Sequence, residues 1–150
     1  MKDGFVKAAA ASPVIKVADA EYNAQQVIKC MAAAREKGVK LLVFPELTLT
    51  GCFCYDLVGH RVLLEGAAAA LEKVVKASEG TDMLVLVGLP YAFGSRLLSC
   101  AAVVYDGELL ALIPRENVAG SRFADYPGDG ELVYVGALET ELCPGALFAH

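Results

Sequence analysis

A chain of 150 residues that is 56% hydrophobic and 21% charged can bury a sizeable core, which excludes a disordered or fibrous protein. Its net charge of −5, with no run of basic residues, argues against nucleic acid or an anionic membrane as partner. No apolar run approaches the roughly 18 residues of a membrane span, and the five cysteines are odd in number and lack zinc spacing, so reduced thiols in a cytoplasmic protein are expected.

The opening "MKDGFVKAAAASP" has the outline of a signal peptide, but Asp3 and Lys7 interrupt it and its apolar stretch is short. Residues 5–11 therefore read as a first strand. Residues 20–37 read as a helix: Val27, Met31 and Ala34 recur at helical spacing, Asp19 is placed to cap it, and Gly38 stops it. The unbroken apolar run Leu41-Leu42-Val43-Phe44 is a strand covered on both faces, closed by Pro45, with Glu46 where it emerges. A second helix spans 60–78, with Val62, Leu63, Leu71, Val74 and Val75 as its buried stripe. Residues 83–89 form a third strand closed by Gly88 and Pro90.

This β-α-β-α-β order is the signature of an α/β sheet. The pattern then changes, because 99–105 and 108–113 are strands joined across Asp106-Gly107, a strong hairpin signal. A mixed sheet with helices on one side only is expected. Residues 115–130 read as a long loop, 132–135 as a short strand, and the tail "ELCPGALFAH" ends on a strand-like Ala-Leu-Phe. A domain ending there would leave a sheet edge without closure, so a cut is expected.

Two charged groups sit just past strands, Glu46 after the second and Arg115 after the hairpin's return strand. In α/β sheets the carboxyl ends of strands are where chemistry is placed. A base and a cation there can flank a nucleophile in acyl transfer, the base taking its proton and the cation holding the tetrahedral oxyanion. A strand-end acid that merely satisfies a loop is the competing reading of Glu46.

The strings "AAASP" at 9–13, "KGVKLLVFPELTLTG" at 37–51, "LVGLP" at 86–90 and "SCAAVVYDGELLALIPR" at 99–115 resemble the nitrilase (carbon–nitrogen hydrolase) superfamily. More closely, they resemble the glutaminase domains of bacterial glutamine-dependent NAD synthetases. The resemblance implies an α-β-β-α sandwich, of which residues 1–150 form the N-terminal portion, with a Glu-Lys-Cys catalytic set. It implies glutamine as substrate, ammonia passed to a synthetase domain that uses ATP and Mg to amidate nicotinic acid adenine dinucleotide, no cofactor in this domain, and a homo-oligomer. Glu46 matches the general base and Arg115 the catalytic lysine. Cys52, in place of the tyrosine after "LTLTG", joins Phe123 and Asp125 as the substrate-binding set. The family's nucleophile lies in an "E-x-C-E-D"-like setting that does not occur here, and the segment after Arg115 departs from the family pattern. Arginine is also no simple stand-in for lysine, being planar, bulky and always charged. The expectation is a glutaminase by lineage whose 150 residues alone release no glutamate. The alternatives are a non-catalytic nitrilase-fold module and another amidase of the superfamily.

Overall fold

A computed structural model describes residues 4–144; the strand-like 146–148 lies outside them. The chain runs β1 (Ala8–Ala10), α1 (Ala20–Glu36), β2 (Leu41–Val43), a 3-10 turn (Tyr55–Gly59), α2 (Arg61–Ser78), β3 (Leu84–Phe93), β4 (Arg96–Tyr105), β5 (Glu108–Pro114), β6 (Glu131–Val135) and β7 (Leu138–Leu142). All seven strands form one mixed sheet in the order β1-β2-β3-β4-β5-β7-β6. The first three are parallel, β3-β4-β5 is an antiparallel meander, and β7 returns parallel to β5.

The helices form where the capping chemistry directs. Asp19 accepts a hydrogen bond from Tyr22 N at 3.0 Å, satisfying a free donor of the first turn of α1. Gly38 closes that helix in the left-handed region at φ +70°. The buried stripe of α1 (Ala24, Val27, Met31) and that of α2 (Ala70, Leu71, Val74) join one core with Val85, Val87 and Leu89 of β3 and Leu98, Cys100 and Ala102 of β4. Alanine at the helix positions brings the layers close together. Val62 was expected in that stripe and is 79% exposed, because Leu63 takes the inward position in the first turn of α2.

The other face of the sheet is the one that matters for the site. Val43 is 39% exposed there, and Leu86, Ala101 and Ile113 are half-buried. Register aligns them across four strands: Val43 opposite Leu86, Gly88 opposite Ala101, and Ala101 opposite Ile113.

Strand bounds differ from those read in the sequence, by one residue in β2, β5 and β6 and by three in β4, which begins at Arg96, and three larger differences bear on the fold. β1 is shorter, since Phe5 is 82% exposed and pairing with β2 begins at Ala8. β3 runs through Gly88 and Pro90 to Phe93, where Gly94-Ser95 turns it into β4. Proline is tolerated because Leu84 N, Leu86 O and Gly88 O all face the β2 side, and by alternation so would the missing donor of Pro90. The ladder with β2 ends at Leu86, so at position 90 no strand waits for it. The third difference is β7, an additional strand whose Leu138-Glu-Thr-Glu-Leu142 alternation buries Thr140 and Leu142. The hairpin at Asp106-Gly107 has both residues at positive φ, 45° and 82°, as a two-residue type I′ turn requires. Residues 115–130 contain no helix or strand.

Candidate active site

The apolar strand β2 ends against β3, where Phe44 N donates to Leu86 O at 2.9 Å. The chain then crosses the open face of the sheet instead of continuing along it. Leu49 N donates to Gly88 O at 3.1 Å, so residues 45–48 arch directly over Gly88. The approach is so close that a Cβ on Gly88 would lie 2.5 Å from Leu47 N and 2.7 Å from Pro45 O. Thr48 Oγ1 donates to Pro45 O at 2.5 Å, and Gly51 N to Leu47 O at 2.6 Å, which tightens the arch into a turn. Leu47 sits at φ +54°, a conformation costly for a side chain with a Cβ and held by these bonds. Asn23 of α1, fully buried, donates to Leu49 O at 3.1 Å and fastens the arch to the helix layer.

The purpose of the arch is the direction it gives Glu46. Ser99 and Arg115 face the same side of the sheet, in phase with Ala101 of β4 and Ile113 of β5. Arg115 Nη1 lies 3.1 Å from Oε1 of Glu46 and 3.3 Å from Oε2. Ser99, 2% exposed, donates its hydroxyl to Oε1 at 2.6 Å. The three side chains stand at one end of a cleft of about 350 Å³ whose floor includes Gly88, Ala101, Ile113 and Leu86. The ion pair is about half exposed, with side chains 43% and 52% accessible, so it adds only about 0.2–1 kcal/mol to stability. Its work is geometric. The site can accept a proton at a carboxylate, present a fixed positive charge, and offer an apolar floor to an acyl group.

The remaining expected site residues lie in two segments beside this cluster. Cys52 follows the arch, exposed, with its thiol donating to Glu46 O at 3.4 Å. Partial burial, then the Glu46 carboxylate, then Cys54 push that thiol above the ordinary cysteine range. Phe123 packs against the small cluster of Cys54, Val58 and Leu63, away from the main core. Asp125 accepts from Val118 N at 3.3 Å and closes the 118–125 loop, while Arg122 pairs with Asp56 and binds that loop to the 3-10 turn. Among the described residues no three His, Cys, Asp or Glu side chains are grouped to hold a metal ion, and no helix is long and apolar enough to cross a membrane.

The chain as a whole has counterparts among known proteins. The family model for carbon-nitrogen hydrolases matches residues 7–146. The chain belongs to the carbon–nitrogen hydrolase family. Glutamine-dependent NAD(+) synthetases are among the relatives of this carbon–nitrogen hydrolase chain. That of Mycobacterium tuberculosis is 31% identical over 97% of the chain, and that of Mycobacterium leprae 29% identical over the same share. The chain spans 22% of the length of each. Among solved structures, the glutamine-dependent NAD(+) synthetase of Cytophaga hutchinsonii superposes with a TM-score of 0.82 at 20% identity, covering 92% of this chain and 25% of that one. An amidase of Nesterenkonia sp. AN1 superposes at 0.70 with 17% identity, covering 95% and 56% respectively. At those identities the superpositions establish the shared fold, a nitrilase-like mixed α/β architecture.

Three residues of the candidate site escape a reading of the sequence. Ser99 looks like one more small strand residue, and its signal was only its phase with Ala101. Gly88 reads as the end of a strand, and nothing local says that a loop passes over it. Asn23, polar in the apolar stripe of α1, was a detectable signal, since a buried polar side chain must have partners.

Proposed function

We propose that this chain supplies the general base and the oxyanion-side cation of a glutamine amide hydrolase, with the attacking thiol provided from outside residues 1–150. The observation that carries it is the Glu46 carboxylate, aimed across the sheet and held by Arg115 Nη1 and Ser99 Oγ above an apolar cleft. In this reading Glu46 takes the proton of a thiol as its sulfur attacks the amide carbon. The oxyanion that forms develops beside the Arg115 guanidinium. Glu46 then returns the proton to the departing amine, and ammonia leaves. Water, activated by the same carboxylate, releases glutamate from the thioester.

The chain's own cysteines do not fit the attacking role. Cys100 lies in the core and burial pushes its thiol strongly upward. Cys54 is buried and donates to Thr50 O at 3.0 Å. Cys30 is on α1, against the core on the opposite side of the sheet, and Cys143 follows β7, with its sulfur 3.9 Å from Asp129 O. Cys52 is near Glu46, but its thiol donates to the Glu46 backbone carbonyl at 3.4 Å and not to the carboxylate, and partial burial and that carboxylate push it above the ordinary cysteine range.

By kinship with the NAD(+) synthetases, the ammonia passes to an ATP- and Mg-dependent synthetase domain that amidates nicotinic acid adenine dinucleotide. This domain then needs no cofactor of its own. The reading includes a cytoplasmic protein and a homo-oligomer, in keeping with that kinship; light scattering of the purified protein tests the latter, and a monodisperse monomer counts against it. A second reading, a non-catalytic module, is favoured by one observation: Arg115 Nη1 reaches both oxygens of Glu46 and so engages the base itself.

Glutamate release by the native protein decides between them. Glu46→Gln is expected to lower kcat about 10²–10⁴-fold with little change in KM, as loss of a general base does. Residues 1–150 alone are expected to stay at background. A native protein that hydrolyses no glutamine, or a Glu46→Gln variant at the wild-type rate, sinks the catalytic reading. Enzymatic glutamate release by residues 1–150 alone sinks the external thiol.

A further inference from the structure

We propose that Ser99 is the positioning residue of this site, fixing Oε1 of Glu46 so that Oε2 is the oxygen that exchanges the proton. The inference rests on the reading of Glu46 as base and adds which residue holds it and which of its oxygens works.

Glutamate is long, with three rotatable bonds, and Glu46 is 43% accessible, so without a constraint it would sample solvent-facing rotamers. Arg115 cannot supply that constraint. Its own side chain is 52% accessible and longer still, so the pair could swing together. Ser99 differs in kind. It has one side-chain torsion and sits within β4, opposite Pro90 of β3, next to the Cys100 that pairs with Pro114 of β5. Its hydroxyl donates to Oε1 at 2.6 Å, and its backbone carbonyl accepts from Arg115 N at 2.7 Å. A single rigid residue thus holds the carboxylate by its side chain and the origin of the cation by its main chain.

The distribution of donors then separates the two oxygens. Each carboxylate oxygen has about two acceptor sites. Those of Oε1 are taken by Ser99 Oγ and by Arg115 Nη1 at 3.1 Å. Among the described residues Oε2 has only the longer Arg115 contact at 3.3 Å, which leaves one site open to them. A thiol proton moving to Oε1 would displace the serine; moving to Oε2 it displaces nothing. The S–H bond breaks, an O–H bond forms at Oε2, and the same proton later leaves with the amine.

The test uses carboxyl-labelled glutamate in the 150-residue chain, with the Glu46 Cδ resonance assigned through Glu46→Gln. In Ser99→Ala that resonance is expected to move toward those of solvent-exposed glutamates, and in Ser99→Thr, which restores the hydroxyl, to return. Ser99→Cys keeps the volume but donates weakly, and is expected to behave as the alanine variant should that one fold poorly. In the native protein, Ser99→Ala is expected to lower kcat about 10–100-fold, the scale of a misplacement near 1 Å, with KM within about twofold. A Glu46 resonance unmoved in Ser99→Ala or Ser99→Cys, with the β4 amides in place, overturns the proposal. If the native protein hydrolyses no glutamine, the catalytic reading fails on its own, and the resonance still decides whether Ser99 holds Glu46.

Discussion

Gly88→Ala lowers the melting temperature by roughly 6–12 °C, the shift that a loss of about 3 kcal/mol produces in a chain of this size. The added methyl would sit 2.5 Å from Leu47 N, 2.7 Å from Pro45 O and 2.9 Å from Glu46 C. All three are backbone atoms, so no rotamer change relieves the clash, and overpacking of this kind costs about 1–3 kcal/mol or more. The arch has little room to retreat, being tied to Gly88 O through Leu49 N and to α1 through Asn23. The effect on function exceeds the effect on stability. Lifting the arch carries Glu46 away from Ser99 and Arg115, so the variant is expected to lose the glutaminase activity proposed for the native protein even below its own melting temperature. A calorimetric scan and a glutamate assay check the two parts. An alanine variant that melts with the wild type and keeps its activity would show that the arch is free to move.

Asn23→Leu is expected to cost about 3–5 kcal/mol, read as a lower urea midpoint with an unchanged slope. The asparagine is fully buried and uses both ends of its amide. Oδ1 accepts from Lys16 N at 2.7 Å, and Nδ2 donates to Lys16 O at 2.7 Å and to Leu49 O at 3.1 Å. Leucine matches its size and satisfies none of these. Three backbone groups would then lose partners, each at a cost of about 1 kcal/mol or more where water cannot replace them. The three bonds join the segment before α1 to the arch, so the loss falls on the site as well as the core. A midpoint within error of the wild type would mean that water reaches Lys16 and Leu49 and that the hub is dispensable.

How far the sequence reveals this molecule depends on the range of the interaction involved. The helices were legible because their signals are local: Asp19 caps, Gly38 stops, and apolar residues recur between them. The Asp106-Gly107 turn was legible for the same reason, two adjacent residues that tolerate positive φ. Pro90 misled, because whether a missing donor matters depends on a neighbouring strand that only the fold places. The β7 strand carried its alternation openly in Leu138 to Leu142, but threonine and two glutamates hid it among loop-like residues. Glu46 and Arg115 could be located at strand ends, and their mutual contact follows from register across β2 to β5. Ser99 and Gly88 had no such marker, since their roles arise only from what lies above them on the open face.

The arch over Gly88 also bears on the order in which the chain acquires its site. Strands β3, β4 and β5 form a meander of tight turns, whose contacts are close in sequence and cheap to form early. The parallel β1 and β2 must instead be brought in with helices between them, a slower step because longer loops have to be closed. Glu46 arrives with β2, and its partners Ser99 and Arg115 stand 53 and 69 residues further along. A partly folded chain can therefore present a complete meander, cation included, while the carboxylate is still unplaced. Pulse-labelled hydrogen exchange would order the two events through the amides of Ala101 and Leu49. On this order the carboxylate joins last, and the cluster of Glu46, Ser99 and Arg115 is complete only when folding is finished.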